Sequence, residues 1–323
     1  MASCFTKFKS KERNRMKKLS IIVPCYNEEE SLPLFFSAME EIHNRLPLDF
    51  EYLFVDDGSS DGTLRVLREL ENQYSRKVHY LSFSRNFGKE AAIYAGLQAS
   101  TGDYLTLMDA DLQDPPELLV QMYEKIQYPD IDCVAARRSD RQGEPVLRSF
   151  FSRLFYRIMN RISSTPVIDG VRDFRLMTRQ MADSILELSE YNRFSKGLLT
   201  WVGYRTEYVA YQNRERIAGK TSWSFWSLLR YSIDGFINFS EAPLNIATYS
   251  GVVSTFLSIL VILFLIIRQL FFHRSASGWT SMTVIIIFCF GFTLLMLGVI
   301  GKYISKIFLE TKRRPIYIVK EKK

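Results

Sequence analysis

Two long stretches near the C-terminus of this 323-residue chain contain no charged residue. They run from Ala242 to Ile267 and from Ser275 to Gly301. Each is longer than the roughly 20 apolar residues that a helix needs to cross the hydrocarbon core of a bilayer. The alternative is a pair of helices buried in a soluble core, but two such stretches are difficult to bury in a domain of this size. We therefore predict a transmembrane hairpin, residues 244–303, with helices at about 244–267 and 280–301.

The basic residues predict the orientation of this hairpin. The net charge is +7, and lysines and arginines cluster after the second stretch, whereas the link between the stretches carries only Arg268, His273 and Arg274. By the positive-inside rule we predict that both termini and the N-terminal domain face the cytoplasm, as in an integral protein of the cytoplasmic membrane. Anionic lipid headgroups explain the positive charge better than nucleic acid, for which no recognition motif is present.

Neither the N-terminal residues nor the cysteines indicate another class of protein. The basic extension, residues 1–17, lacks the apolar run of a signal peptide, and Met16 is an alternative start. The four cysteines form no close pair and the three histidines have no metal-ligand spacing. The sequence therefore predicts neither a disulfide framework nor a zinc site.

Residues 18–221 alternate short apolar runs with amphipathic stretches. The apolar runs are KKLSIIVPCYN, EYLFVDDG, KVHYLSFSRN, DYLTLMDAD and IDCVAARR. Apolar residues three and four apart mark helices between them. This alternation predicts an α/β domain with a mostly parallel, Rossmann-like sheet, which binds its ligands at the carboxyl ends of the strands. The chain has no G-x-G-x-x-G and no Walker motif, which argues against dinucleotide and P-loop chemistry.

Two further segments flank the predicted hairpin. Residues 222–243 place Trp223, Trp226 and Leu229 on one helical face, which predicts an amphipathic helix in the membrane interface, with a core helix of the soluble domain as the alternative. Residues 304–323 are predicted to be a basic cytoplasmic tail. Its short run PIYIV could pair with another subunit, which would make the protein a homo-oligomer.

The stretch LTLMDADLQDPPE crowds acidic residues together. Asp109 and Asp111 follow an apolar run two positions apart, so at a strand end both can face one space. Two carboxylates suit a hard divalent cation, and Gln113 adds an amide oxygen; acids of a solvated loop are the alternative. Asp114 has the position of an N-cap and Glu117 that of the last residue of a capping box, so we predict that these two begin a helix.

Five motifs in this order resemble one known family. They are IIVPCYNEEESL, VDDGSSDGT, SRNFGKEAAIYAGL, DADLQDPPE and GVRDFRLMTR. Over roughly residues 18–310 the chain is similar to the inverting polyprenyl-phosphate glycosyltransferases of GT-A fold, which include the dolichol-phosphate mannose synthases. It resembles more closely the bactoprenol glucosyltransferases, which carry a C-terminal membrane hairpin.

This resemblance implies a nucleotide-sugar site with Mg²⁺ or Mn²⁺. The nucleotide-sugar positions are Pro24, Tyr26, Glu28, Val55, Asp57, Asp109, Ala110, Arg216 and Lys220. The metal ligands would be Asp109, Asp111 and Gln113, and the catalytic set adds Asp173 to these three. Asp173 would face the sugar or the acceptor, with a structural ion pair to a nearby arginine as the alternative. The family pattern R-x-x-G-x-(S/T)-K has Ser222 in place of its lysine, so Lys220 would have to substitute.

The resemblance also implies a site for the phosphate of a polyprenyl lipid. Its residues would be Arg137, Arg138, Arg148 and Ser152, because guanidinium groups and a hydroxyl bind phosphate well. The alternative is a basic face that touches anionic headgroups.

The expected activity is inverting transfer of glucose from UDP-glucose to a lipid such as undecaprenyl phosphate. Other donors remain open, such as a UDP-N-acetylhexosamine or GDP-mannose. A processive polysaccharide synthase would carry Q-x-x-R-W and more membrane spans, and neither is present. A catalytically dead membrane scaffold would not need to retain Asp109, Asp111, Gln113 and Arg216.

Overall fold

The computed structural model of the chain describes residues 16–139, 161, 168, 170–212, 237, 240–272 and 279–323. These residues fall into two compact units. The first contains a β-sheet and includes residues 315–323 from the C-terminus, and the second contains two long helices. Each unit is described separately below.

Strands and helices alternate through the first unit. The strands are β1 (Lys17–Cys25), β2 (Leu48–Asp56), β3 (Val78–Phe83), β4 (Tyr104–Leu107), β5 (Cys133–Arg138), β6 (Val171–Thr178), β7 (Thr206–Tyr211) and β8 (Val319–Lys322). The helices of this unit are α1 (Ser31–His43), α2 (Thr63–Tyr74), α3 (Lys89–Ala99), α4 (Leu118–Ile126), α5 (Arg179–Glu187) and α6 (Ser195–Trp201). Each of the five apolar runs in the sequence forms one of the strands β1 to β5.

The strands form one sheet in the order β7-β5-β6-β4-β1-β2-β3-β8. Strands β1 to β4 run parallel to their neighbours among themselves, as do β5 and β7. The pairs β4–β6, β5–β6 and β3–β8 are antiparallel. The α/β fold of GT-A type is therefore confirmed, with a sheet that is more mixed than the sequence indicates, because β6 and β8 run against their neighbours.

Helices cover both faces of the central strands, which explains why those strands are apolar along their whole length. In β1, Ile21 and Val23 belong to the larger core and Ile22 belongs to the core on the other face. All three side chains are fully buried. A parallel strand covered on both faces loses the alternation of apolar and polar residues. The loops at the carboxyl edge of the sheet therefore start from strands that are packed on both faces.

The C-terminal strand β8 completes the sheet edge within its own chain. It pairs with β3, and the carboxylate of Glu321 accepts hydrogen bonds from Arg68, at 2.8 Å, and from the hydroxyl of Tyr80. The ring of Tyr317 stacks on Phe83 with centroids 4.9 Å apart. The run PIYIV was expected to pair with another subunit. The strand that forms here is Val319–Lys322, which shares only Val319 with that run and covers the β3 edge of its own sheet, and pairing between subunits stays a prediction.

The second unit contains the helices α7 (Ala242–Phe272) and α8 (Trp279–Thr311). Both are long enough to span a membrane, with mean hydropathies of 1.6 over Ala242–Val261 and 2.3 over Ile285–Thr311. The hydroxyl of Tyr303 in α8 donates to the backbone oxygen of Ser240, just before α7, at 2.7 Å. Helix α8 continues past residue 304, where the tail was predicted to begin.

None of the described apolar side chains of these two helices is buried, and most of them are exposed. Phe256 and Phe288, for example, are 62% and 71% exposed. Buried helices of a soluble core do not have this property, and an apolar surface of this size is unfavourable in water. The two helices therefore suit a lipid environment. Most of the predicted interfacial helix, residues 222–243, lies outside the described residues.

Candidate active site

Tight turns follow the four parallel strands β1 to β4 at the carboxyl edge of the sheet. Each of the four connections contains one residue with a positive φ: Asn27 (56°), Gly58 (66°), Gly88 (99°) and Leu112 (55°). At Gly58 a Cβ would lie 2.4 Å from the backbone of Arg85, so only glycine fits. A left-handed backbone is uncommon for leucine and is found most often at functional sites. The loops at this edge are therefore closely constrained.

The antiparallel register of β4 and β6 brings two of the predicted acids together. Leu107 lies opposite Arg175 in that register, and from this pair the two chains lead toward Asp109 and Asp173, which contact the same lysine. Asp109 follows β4 and Asp173 lies within β6. The family resemblance implies that both residues are catalytic, and the sheet explains how residues so far apart in the chain meet.

A lysine that the sequence analysis did not single out joins these two acids. Lys89, the first residue of α3, places its Nζ 2.7 Å from Oδ1 of Asp109 and 2.7 Å from Oδ2 of Asp173. Burial acts to lower the pKa of Lys89, but the two carboxylates outweigh burial and raise it, so the ammonium stays charged. In the sequence, Lys89 is the lysine of SRNFGKEAAIYAGL, one of the motifs that carry the family resemblance, and this motif could have drawn attention to it.

Asp173 is ionised in this environment. Burial acts to raise the pKa of Asp173, but Lys89 and Lys196 hold it well below its usual range. The alternative of an ion pair between Asp173 and an arginine is not found among the described residues, where the ion pair of Asp173 is with Lys89. Arg175 contacts the backbone of Asp173 instead, because its Nε donates a hydrogen bond to the backbone oxygen of Asp173 at 3.2 Å.

The DADLQ segment lies in a turn instead of extending the strand. A shared space for Asp109 and Asp111 was predicted from the two-residue alternation of side chains along a strand. β4 ends at Leu107, so this alternation does not extend to the two aspartates. Asp111 is 5% exposed and accepts a hydrogen bond from the backbone N–H of Gln113 at 3.1 Å. The side-chain oxygen of Gln113 accepts from Arg172 at 3.3 Å.

The oxygen ligands that Asp109 and Asp111 offer can be compared with those that a divalent cation requires. No group of three His, Cys, Asp or Glu side chains suited to a metal is found among the described residues. Asp109 and Asp111 nevertheless offer the hard carboxylate oxygens that Mg²⁺ and Mn²⁺ prefer, and Mg²⁺ is commonly held by one or two carboxylates together with oxygens of a bound phosphate. The two aspartates fit such a cation when a diphosphate supplies the remaining ligands.

Asp114 is not a helix cap, in contrast to the sequence prediction. Helix α4 begins at Leu118 with Glu117 at the N-cap position, and no side-chain capping bond is made. Asp114 is 6% exposed and accepts hydrogen bonds from Nε of Arg172, at 3.1 Å, and from the hydroxyl of Tyr211. Burial raises the pKa of Asp114 although Arg172 opposes this. The carboxylate therefore ties the loop after β4 to β6 and β7.

Replacing Asp114 by Asn should lower the free energy of unfolding by about 1–3 kcal/mol, because the buried Arg172 loses its charged acceptor. Thermal or denaturant unfolding of the purified protein in detergent measures this change. The matched control is Asp130→Asn, since Asp130 is 79% exposed and lies 3.5 Å from Arg205; its effect should stay within about 0.5 kcal/mol. Equal unfolding midpoints for the two variants would show that the buried contact does not stabilise the fold.

Five residues matched to the nucleotide site lie at or just after the carboxyl ends of β1 and β2. Pro24 and Val55 are direct partners in the parallel register of these strands. Tyr26 is 43% exposed, which leaves its ring open to a ligand. Glu28 accepts a hydrogen bond from Ser31. The fifth residue, Asp57, follows β2.

Asp57 holds the loop that leads to Lys89. Its carboxylate accepts hydrogen bonds from the backbone N–H groups of Phe87, at 2.6 Å, and of Gly88, at 2.9 Å. Burial raises the pKa of Asp57 to about 6 in spite of these two bonds. Asp57 thus has a clear structural contact, and its contact with a nucleotide stays a prediction.

The predicted lipid-phosphate residues are only partly described. Arg137 and Arg138 lie at the end of β5. Arg148 and Ser152 lie outside the described residues, as do Arg216, Lys220 and Ser222 of the donor-phosphate motif. The assignment of these residues therefore stays a prediction.

Comparison with known proteins gives an independent result. The profile of glycosyl transferase family 2 matches residues 20–186. A bactoprenol glucosyl transferase of Shigella phage SfX is 40% identical and covers 95% of this chain and 100% of its own length. The putative glycosyltransferase CsbB of Bacillus subtilis is 41% identical over 94% of this chain and 91% of its own length.

Two solved structures show a weaker similarity to this chain. A mannosyltransferase of Pyrobaculum calidifontis, in complex with GDP-Man and Mn²⁺, is 19% identical with a TM-score of 0.46, covering 70% of this chain and 64% of its own. Glucosyl-3-phosphoglycerate synthase of Mycobacterium tuberculosis, in complex with Mn²⁺, UDP-Glc and phosphoglyceric acid, is 19% identical with a TM-score of 0.45, covering 68% and 78%.

Proposed function

Because this chain belongs to glycosyl transferase family 2, and within it to the polyprenyl-phosphate glycosyltransferases, we propose that it transfers glucose from UDP-glucose to a polyprenyl phosphate such as undecaprenyl phosphate. Full-length similarity to bactoprenol glucosyl transferases, including the hairpin, supports the lipid acceptor and the sugar. The observation that carries a catalytic function is the contact of Lys89 with Asp109 and Asp173 at the carboxyl edge of the sheet.

The reaction forms one bond and breaks another at the anomeric carbon of the sugar. An oxygen of the acceptor phosphate attacks this carbon from the face opposite the nucleoside diphosphate, which leaves with the bonding electron pair, so the configuration inverts. A phosphate monoester has its second pKa near about 6 and is largely doubly charged at neutral pH. The acceptor therefore needs no general base, and the protein has to position it instead.

The chain's own residues would serve this reaction in two ways. Asp173, kept ionised by Lys89, would lie beside the sugar and stabilise the positive charge that develops at the anomeric carbon. Lys89 would hold Asp173 and Asp109 at a fixed separation. A divalent cation bound by Asp109 and Asp111, with Gln113 nearby, would neutralise the charge of the departing diphosphate, and Arg216 would act on the same charge.

The membrane hairpin would keep this site at the bilayer surface, where the lipid acceptor is found. A polyprenyl chain stays in the bilayer, so only an enzyme at the membrane surface reaches its phosphate. We place the sheet unit and both termini on the cytoplasmic side, because the positive charge follows the second span.

A single assay with defined substrates tests this function. Purified full-length protein is incubated with undecaprenyl phosphate and, separately, UDP-glucose, a UDP-N-acetylhexosamine and GDP-mannose, with Mg²⁺, with Mn²⁺ or with a chelator, and the lipid product is identified by mass. We expect a hexosyl lipid from UDP-glucose that is lost with the chelator. Product from another donor would reassign the sugar, and no glycolipid from any donor would contradict the proposed function.

A further inference from the structure

The acid Asp173 lies in a part of β6 that the neighbouring strands do not hold in register. The pairing of β6 with β4 runs from Thr178 to Arg175, and its pairing with β5 shifts after Arg175 and resumes only at Val171. Residues 172–174 have no partner in either of these two registers. Such an irregularity bends a strand and is often found next to an active site. The direction of the Asp173 side chain therefore depends on contacts from outside the sheet.

Two lysines from helices act on the carboxylate of Asp173. Lys89 is the first residue of α3, and its Nζ lies 2.7 Å from Oδ2 of Asp173. Lys196 is the second residue of α6. Burial acts to raise the pKa of Asp173, and the charges of Lys89 and then Lys196 lower it. A cation in the first turn of a helix is unfavourable by itself, so both lysines depend on how α3 and α6 are placed beside Asp173.

The residue after Lys89 joins these two helices. The carboxylate of Glu90 accepts hydrogen bonds from the backbone N–H of Ser195, at 3.0 Å, and from the hydroxyl of Ser195. Ser195 is buried and begins α6, where the N-cap residue Phe194 makes no side-chain capping bond. Glu90 thus satisfies, from another helix, a backbone donor that a capping side chain usually satisfies. One end of this contact is next to Lys89 in sequence and the other is next to Lys196.

A second contact fixes the segment before α6 on the same face of α3. Glu90 and Tyr94 are four residues apart in α3 and therefore share a face. The guanidinium of Arg193 lies 4.4 Å from the centroid of the Tyr94 ring. Arg193 is buried and also donates to the backbone oxygen of Leu188, just after α5. Residues 193–195 are therefore held on α3 at two points, and the Glu90 contact is the one beside both lysines.

We propose that Glu90 is a positioning residue, which holds the first turn of α6 on α3 so that Lys196 faces Asp173 together with Lys89. The inference rests on the proposed function for the role of Asp173 beside the sugar, whereas the contact between the two helices follows from the structure. Glu90 acts through Ser195 and Lys196 in this arrangement. Its contribution to turnover should therefore disappear when Lys196 is replaced.

The kinetic test uses the full chain in lipid nanodiscs with UDP-glucose and undecaprenyl phosphate. Glu90→Ala should lower kcat about tenfold and change either KM less than about twofold, because small displacements near reacting atoms cost up to about 10²-fold in rate. Glu90→Gln keeps an oxygen that accepts from Ser195 and should stay within about threefold of wild type. Glu90→Asp keeps the charge but is one methylene shorter, so it should resemble Glu90→Ala. The control is Glu124→Ala in α4, whose side chain is exposed, and it should leave kcat and both KM values unchanged.

A double-mutant cycle tests the route through Lys196. Lys196→Met alone should lower kcat about as much as Glu90→Ala. Adding Glu90→Ala to Lys196→Met should then lower kcat by less than about twofold more, because coupled residues are not additive. Effects of the two changes that multiply would overturn the inference, as would wild-type turnover of Glu90→Ala or a failure of Glu90→Gln to retain activity.

Hydrogen exchange reads the contact without turnover and separates it from the proposed function. Glu90→Ala should speed amide exchange in a peptide covering residues 193–199, relative to wild type and to Glu90→Gln, and should leave the peptides of β1 to β4 unchanged. If this pattern is found but the wild-type protein makes no glycolipid from any donor, the positioning contact stands and the proposed function fails. Equal exchange of residues 193–199 in the three proteins would overturn the inference, whatever sugar the wild-type protein transfers.

Discussion

Replacing Lys89 by Met should lower kcat for sugar transfer by about 10²–10³-fold, the usual effect of removing one preorganised electrostatic group from an active site. The ammonium is held between Asp109 and Asp173 at 2.7 Å from each. Without it, two carboxylates face each other and repel, so one takes up a proton or both move apart. Either change would disturb Asp173, which is proposed to face the sugar. The measurement is steady-state transfer to undecaprenyl phosphate at saturating donor.

Two other variants make this test specific. Lys89→Arg should also lose most activity, because a planar guanidinium cannot replace a compact ammonium between two acids. Lys125→Met removes a lysine that lies 3.4 Å from Glu207, with both side chains 40% exposed, and should keep full activity. If Lys89→Met turns over within threefold of wild type while remaining folded, the contact is an ordinary ion pair.

Replacing Asp111 by Asn should reduce turnover by at least about a thousandfold, because metal stabilisation of a leaving group contributes several kcal/mol. Asp111 is 5% exposed and its carboxylate is one of the two that fit a divalent cation. The variant retains an oxygen to accept the bond from the N–H of Gln113, so the turn should persist. Turnover is measured while Mg²⁺ or Mn²⁺ is titrated.

The matched control for this change is Asp49→Asn at the start of β2, where the side chain is exposed, and it should leave the metal dependence unchanged. Near-normal turnover of Asp111→Asn would contradict its role as a metal ligand. The contrast with Asp114→Asn is informative as well, because the latter should mainly lose stability while the former mainly loses activity.

The strands β1 to β5 and the two membrane-length helices could be predicted from the local pattern of apolar residues. The runs that became β1 to β5 are apolar because helices cover both faces of the sheet, and the two membrane-length helices are apolar throughout. β6 escaped detection since VRDFRLMT has three charged residues in its first five positions. Two of those charges, on Arg172 and Asp173, are compensated by Asp114 and Lys89, which lie far away in sequence.

The same distinction applies to the site. The segment from Asp109 to Gln113 could be located because acids directly follow an apolar run. Asp114 was misinterpreted because Asp-Pro-Pro-Glu has the local pattern of a capped helix, whereas Arg172 and Tyr211 from β6 and β7 determine its position. Lys89 lies in a family motif, but its two partners, Asp109 and Asp173, are distant in sequence and only their contacts in the fold show what it bridges.

Because β8 is the last strand in the chain, the β3 edge of the sheet can be paired only after the membrane segments have been synthesised. β3 ends at Phe83 and β8 begins at Val319, so at about 5–20 residues per second the β3 edge waits about 10–50 s for its partner strand. Both membrane segments are synthesised within that interval. We infer that insertion into the bilayer precedes closure of the sheet. A stalled nascent chain that ends before Val319 should exchange the amide hydrogen of Tyr80 quickly, since its acceptor is the backbone oxygen of Lys323, and slow exchange there would show that β8 is not what protects the β3 edge.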